Sequence, residues 1–124
     1  MKYSKNHRLL NAEDFRYVFE KPRKIRGQAM DFYIRQSKDD ACYPRLGIAV
    51  PKRCIKLAVM RNRIKRCLRE MFRLNQVSLR GLDMIVMIKS GMTAIPSEDY
   101  SKVIDSHWLG FMEQCKASKR SSNT

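Results

Sequence analysis

Five consecutive apolar residues, Met84-Ile85-Val86-Met87-Ile88, bounded by Asp83 and Lys89, constrain the fold of this chain more than any other segment. The run is far too short to cross a membrane and too unbroken for a strand with one wet face, so it reads as a buried central strand. Its neighbours have to come from segments with a period of two. Met30, Phe32 and Ile34 alternate with Asp31, Tyr33 and Arg35, and Gly27 marks a turn separating them from a first strand near Arg23 to Arg26. Leu46, Ile48 and Val50 alternate with Arg45, Gly47 and Ala49, and Pro51 ends that strand. The first of these sets is large and apolar and faces the core. The second is small apart from Arg45, which leaves room on that face for something to lie against the backbone.

Three helices complete the pattern. Asn11 caps a short one, with Glu13 and Asp14 in its first turn, a stripe of Phe15, Val18 and Phe19, and Pro22 as its stop. The strongest spans Ala58 to Asn75: at the helical period Met60, Ile64, Cys67, Leu68 and Met71 fall on one arc. Asn62, Lys65, Arg66, Arg69 and Arg73 fall on the opposite arc, with Arg61 and Arg63 on the shoulders. The last helix opens at Ser97-Glu98-Asp99 and carries Tyr100, Val103, Ile104, Trp108, Phe111 and Cys115 on its apolar stripe. The expectation is an α+β fold, a single two-layer sandwich in the order α-β-β-β-α-β-α over a four-stranded sheet. One domain occupies residues 1–117, and a polar, basic tail over 118–124 is expected to be disordered.

Charge decides what such a domain meets. In 124 residues Lys and Arg number 26 and Asp and Glu 12, so the net charge is 26 − 12 = +14. A hydrophobic share of 44% is that of an ordinary globular core, which excludes a merely disordered basic tail. The basic N-terminus lacks the apolar stretch of a signal peptide, and the expected location is the cytoplasm, with no membrane partner. Cys42, Cys54, Cys67 and Cys115 form no CxxC pair and no finger spacing, so they read as reduced packing residues. The simplest compensation for the charge is a polyanion, with nucleic acid favoured over a membrane.

No catalytic residue emerges. His7 lies in a basic arm, His107 falls on an apolar stripe as a satisfied histidine does, and Asp39-Asp40 reads as a solvated loop pair rather than a divalent-ion site. Phosphate loops of the Walker kind, GxSxG and HExxH are all missing from the sequence, and no metal ligands can be named. The bases are organised instead. Lys52, Arg53, Lys56, Arg61, Arg63, Lys65, Arg66, Arg69 and Arg73 stand against one acid, Glu70. A solvated helix face usually mixes signs, because opposite charges one turn apart stabilise it. Like charges that repel in the free protein fit a surface neutralised by phosphates. Tyr33, on the polar side of its strand among basic and small neighbours, suits base stacking by single-stranded RNA. Periodicity alone places Phe15 and Phe19 in the core.

The stretch Ala58-Val59-Met60-Arg61-Asn62-Arg63-Ile64-Lys65-Arg66, followed by Arg69-Glu70 and Arg73, closely resembles the protein subunit of bacterial ribonuclease P, with its Arg-Asn-Arg signature and trailing bases. Phe15-Arg16-Tyr17-Val18-Phe19 is similar to that family's first helix. Arg45 to Arg53 is similar to its third strand and basic pair, and Asp83 to Lys89 to its last strand. Pro51 departs from the small residue common there. The resemblance implies a subunit that assists Mg²⁺-dependent removal of the 5′ leader from precursor tRNA, an endonucleolytic hydrolysis whose catalyst is the RNA subunit. It implies that Arg61, Asn62, Arg63, Lys65, Arg66, Arg69 and Arg73 contact the catalytic RNA. It also implies that Phe15, Phe19, Tyr33, Arg45, Lys52 and Arg53 line a cleft for the leader, which moves both phenylalanines out of the core. The partners implied are the catalytic RNA and precursor tRNA, with no obligate protein partner, and Mg²⁺ is held mainly by RNA. A left-handed β-α-β crossover is implied as well, although chain physics favours the right-handed form. The alternative from another class is a structural RNA-binding protein, of ribosomal or chaperone type, with no role in cleavage. A duplex-DNA helix-turn-helix fits less well, because strands flank the basic helix.

Overall fold

Alternation and capping place the elements close to where the sequence predicts them. The structure, a computed structural model, describes residues 11–37 and 44–122, with side chains as far as Cys115. Helix α1 (Ala12–Glu20) is followed by strands β1 (Arg23–Arg26), β2 (Met30–Gln36) and β3 (Arg45–Ala49). Helix α2 (Ala58–Leu74), β4 (Leu82–Ile88) and α3 (Tyr100–Ser122) complete the order, with one short 3₁₀ helix between α2 and β4 and two between β4 and α3. The sheet runs β1-β2-β4-β3. β2 is antiparallel to both β1 and β4, while β3 lies parallel to β4, joined to it through α2. The continuous apolar run thus becomes β4, an inner strand paired on both sides.

One face of the sheet carries the main core. Ile25, Phe32, Ile34, Leu46, Met84, Val86 and Ile88 meet Ile64, Leu68 and Phe72 of α2 and Ile104, Trp108 and Phe111 of α3. Phe32 stacks on Phe111 with ring centroids 4.4 Å apart. This is the expected sandwich. Helix α1 is added on the opposite face, where Val18 packs on Ile85 with Phe15, Tyr17 and Tyr33 around them. The unbroken apolar run is explained by this arrangement, since β4 has protein on both sides.

Local chemistry sets the boundaries. Asn11 Oδ1 accepts from the Asp14 amide at 2.9 Å and Asp14 Oδ2 accepts from the Asn11 amide at 3.0 Å, a reciprocal cap that starts α1. Gly81 enters β4 with φ of 75°, a left-handed conformation that other residues adopt at a cost. At Gly27 a Cβ would stand 2.5 Å from His107 Cδ2, so only glycine lets the β1–β2 turn approach α3. The backbone of α3 runs to Ser122, and nothing from Ala117 to Ser122 is a glycine or proline that would stop it. His7, Asp39, Asp40 and Cys42 lie outside the described residues.

Candidate nucleic-acid interface

Register assigns the side chains of the α1-bearing face to three cross-sheet rows. The first is Arg35–Asp83–Arg45, the second Lys24–Tyr33–Ile85–Gly47, and the third Arg26–Asp31–Met87–Ala49. Helix α1 lies against the first two rows. Phe15 and Phe19, one turn apart, bring their ring centroids to 6.3 Å. Phe19 meets the Tyr33 ring edge-on at 4.9 Å. Phe15 and Tyr33 are half-buried and Phe19 is 39% exposed, so these three rings form a platform open to solvent rather than a sealed core. The periodicity reading of Phe15 and Phe19 as plain core gives way here: Val18 alone of that stripe is fully covered.

Lys24 joins the platform, its Nζ 5.0 Å from the Tyr33 ring centroid and 3.8 Å from Asp31 Oδ2. Sequence reasoning did not single it out. Its position directly opposite Tyr33 follows from the β1–β2 register, which the bases of β1 by themselves do not reveal. Asp31 is buried between Lys24 and Lys89, with Lys89 Nζ 3.3 Å from Oδ1.

Arg45 is engaged within the fold. Its Nε and Nη2 donate to the two carboxylate oxygens of Asp83 at 3.0 and 2.9 Å, and Nη1 lies 3.4 Å from Asp14 Oδ1. Asp83 is fully buried, so this guanidinium compensates a charge inside the protein. Lys52 and Arg53 are exposed, as expected. Pro51 begins the turn that presents them: its carbonyl accepts from the amides of Cys54 at 3.0 Å and Ile55 at 3.1 Å. Both of those residues are buried, and Thr93 Oγ1 donates to the Cys54 carbonyl at 2.9 Å. With Cys54 and Ile55 anchored, the two bases between them and Pro51 face solvent near the end of the floor where β3 finishes.

Helix α2 presents the second surface. Ile64, Leu68 and Phe72 are completely buried, which turns Asn62, Arg63, Arg66, Arg69 and Arg73 outward and leaves Lys65 half-buried. Six cations and one acid occupy this helix. Arg73 is held by Glu70, Nε to Oε2 at 3.2 Å, and these hydrogen bonds keep the Glu70 carboxyl below its ordinary range. Among the described residues no carboxylate pairs with Arg63, Lys65, Arg66 or Arg69. Arg61 is half-buried, and its Nη1 donates to the carbonyls of Ile55 at 3.0 Å and Lys56 at 2.8 Å, tying the preceding loop to the helix. The first turn of α2 contains no acid and its N-cap, Leu57, makes no side-chain cap bond, so the amide end of the dipole adds to the positive field.

Other titratable groups are satisfied within the fold. His107 Nε2 accepts from the Ala29 amide at 3.1 Å and Nδ1 donates to the Val103 carbonyl at 2.8 Å, which occupies both ring nitrogens. Cys54 and Cys115 are buried and Cys67 is half-buried, all three packed into the main core. Among the described residues no three His, Cys, Asp or Glu side chains gather to hold a metal ion, and no helix is long and apolar enough to cross a membrane.

An open aromatic platform on a small sheet, next to a helix with four outer bases that lack acidic partners among the described residues, is the kind of surface found in α+β RNA-binding proteins. Residues 3–111 match the family model described as Ribonuclease P, and the chain belongs to that family. The ribonuclease P protein component of Baumannia cicadellinicola is 42% identical over 106 residues, covering 86% of this chain and 90% of its own. That of Aliivibrio fischeri is 40% identical over 106 residues, covering 86% and 89%. The solved structure of the RNase P protein from Staphylococcus aureus superposes with a TM-score of 0.71 at 26% identity, covering 85% of this chain and 94% of that one.

Proposed function

We propose that the two surfaces divide the work of a ribonuclease P holoenzyme acting in the cytoplasm. The outer face of α2, with Asn62, Arg63, Lys65, Arg66 and Arg69, docks on phosphates of the catalytic RNA. The platform of Phe15, Phe19 and Tyr33, flanked by Lys24, Lys52 and Arg53, receives the single-stranded 5′ leader of precursor tRNA. Water attacks the phosphodiester between leader and tRNA, leaving a 3′-hydroxyl on the leader and a 5′-phosphate on the tRNA. That step belongs to the RNA subunit with its Mg²⁺, and the protein contributes affinity and position.

The observation that carries this reading is the contrast between bases. Arg45, Arg61 and Arg73 have partners within the protein, whereas Arg63, Lys65, Arg66 and Arg69 have no carboxylate to neutralise them among the described residues. The leader assignment is tested by Tyr33→Ala in the reconstituted holoenzyme. Loss of one stacking partner, about 1–3 kcal/mol, weakens binding of leader-bearing tRNA about five- to one-hundred-fold. Mature tRNA binds as before. Equal weakening of both substrates removes the leader from this platform.

A further inference from the structure

The row Arg35–Asp83–Arg45 faces α1 and not the solvent. Asp83, fully buried on β4, stands between the two arginines in register. Each arginine reaches a different end of the same helix. Arg45, locked to Asp83 by two hydrogen bonds, lies 3.4 Å from Asp14 in the first turn. Arg35 Nη1 donates to the Tyr17 carbonyl at 2.6 Å and lies 3.5 Å from Glu20 Oε2 at the last residue. Its guanidinium also covers the Tyr17 ring at 3.8 Å, and the Tyr17 hydroxyl donates to the Gln36 carbonyl at 2.8 Å.

Apolar packing alone leaves α1 weakly defined. It has nine residues, below the length at which a helix is stable by itself, and its buried contact with the sheet centres on one residue, Val18 on Ile85. A buried contact centred on one residue, with only half-buried rings around it, fixes the distance of the helix from the sheet better than its rotation. Phe15 and Phe19 sit on this helix one turn apart, so rotation would carry both rings away from Tyr33 together. The planar, forked guanidinium of arginine can hold one carboxylate with two nitrogens and turn the third to another group, which a lysine cannot do.

We propose that Arg45, anchored on Asp83, and Arg35, its neighbour in the same cross-sheet row, are positioning residues for the leader cleft: they fix the height and rotation of α1 and so hold the Phe15–Phe19 pair with Phe19 against Tyr33. This rests on the leader reading above. The network is an internal frame, and none of its side chains touches the leader.

The test uses the reconstituted holoenzyme and the ratio of affinities for precursor and mature tRNA. Asp14→Asn keeps an oxygen for the Asn11 cap and removes the charge facing Arg45, and Arg35→Gln removes the other attachment. The double variant lowers the precursor-to-mature ratio at least about fivefold, the worth of a misplaced stacking contact. It changes affinity for the catalytic RNA less than about twofold, as distant independent sites do. Adding it to Phe19→Ala lowers the ratio no further, and Asp14→Glu, which keeps the carboxylate, retains discrimination. If the double variant discriminates fully while Phe19→Ala does not, the positioning role is wrong and the cleft stands. If Phe19→Ala also discriminates fully, the cleft reading falls and takes this proposal with it. Equal loss of affinity for both substrates reduces the network to general support of the fold and overturns the proposal. Fluorescence of Trp108, the single tryptophan, monitors folding, and should the double variant unfold, Asp14→Asn alone carries the same comparison.

Discussion

Replacing Arg45 with methionine preserves most of its volume and removes the two nitrogens that donate to the Asp83 carboxylate, at 3.0 and 2.9 Å. Asp83 is 0% exposed, so no water reaches it in the native arrangement. Removing one partner of a buried pair leaves an uncompensated charge, a loss of about 3–5 kcal/mol. Against a total of about 5–15 kcal/mol for a domain, that is a third or more of the stability. At about 4 °C per kcal/mol the midpoint falls by about 12–20 °C. Urea unfolding followed through Trp108, which is 1% exposed between Phe32 and Phe111, reports the change. The m-value stays constant, because the surface exposed on unfolding is the same. The double variant Arg45→Met/Asp83→Leu returns to within about 1 kcal/mol of the parent, since a well-packed apolar pair often replaces a buried ion pair without loss. A single variant that loses less than about 1 kcal/mol, or a double variant as unstable as the single, refutes the assignment of Arg45 to the interior.

Two further outcomes follow from helix α2. Arg63→Ala and Arg66→Ala each weaken catalytic-RNA binding and flatten the slope of log affinity against log salt by about 0.7–0.9, one counterion apiece, in filter-binding titrations across ionic strength. Glu70→Gln frees Arg73 from its carboxylate partner, so affinity rises and the same slope steepens by a similar step, whereas an unchanged slope places Arg73 away from phosphate.

Elements with a strong period were legible in the sequence, and pairings across the sheet were not. The inner position of β4 follows from five apolar residues in a row. The outer face of α2 follows from the helical period, although Phe72 completes the Ile64–Leu68 stripe one turn beyond the arc first drawn. Alternation puts Arg45 on the same face as Tyr33, but its tie to Asp83 is not legible, because Asp83 is 38 residues away and adjacent only through β3–β4 register. Lys24 is silent in the sequence for the same reason, since β1 reads as three bases around Ile25 until pairing sets one of them against Tyr33. The side of the sheet that α1 takes is equally silent in the sequence: Phe15, Val18 and Phe19 make a stripe that fits either face. Arg61 belongs to the signature by type, yet two backbone carbonyls of the preceding loop claim it in the fold.

The central claim is that this protein works as a ribonuclease P subunit with RNA-borne catalysis. Reconstitution tests it most directly: the purified protein is combined with a bacterial ribonuclease P RNA at low Mg²⁺, and cleavage of 5′-extended precursor tRNA is followed. Activity that requires both components and releases the leader with a 5′-phosphate on the tRNA is the predicted result. Cleavage by the protein alone, or tight binding that gives the RNA no gain in activity, contradicts it.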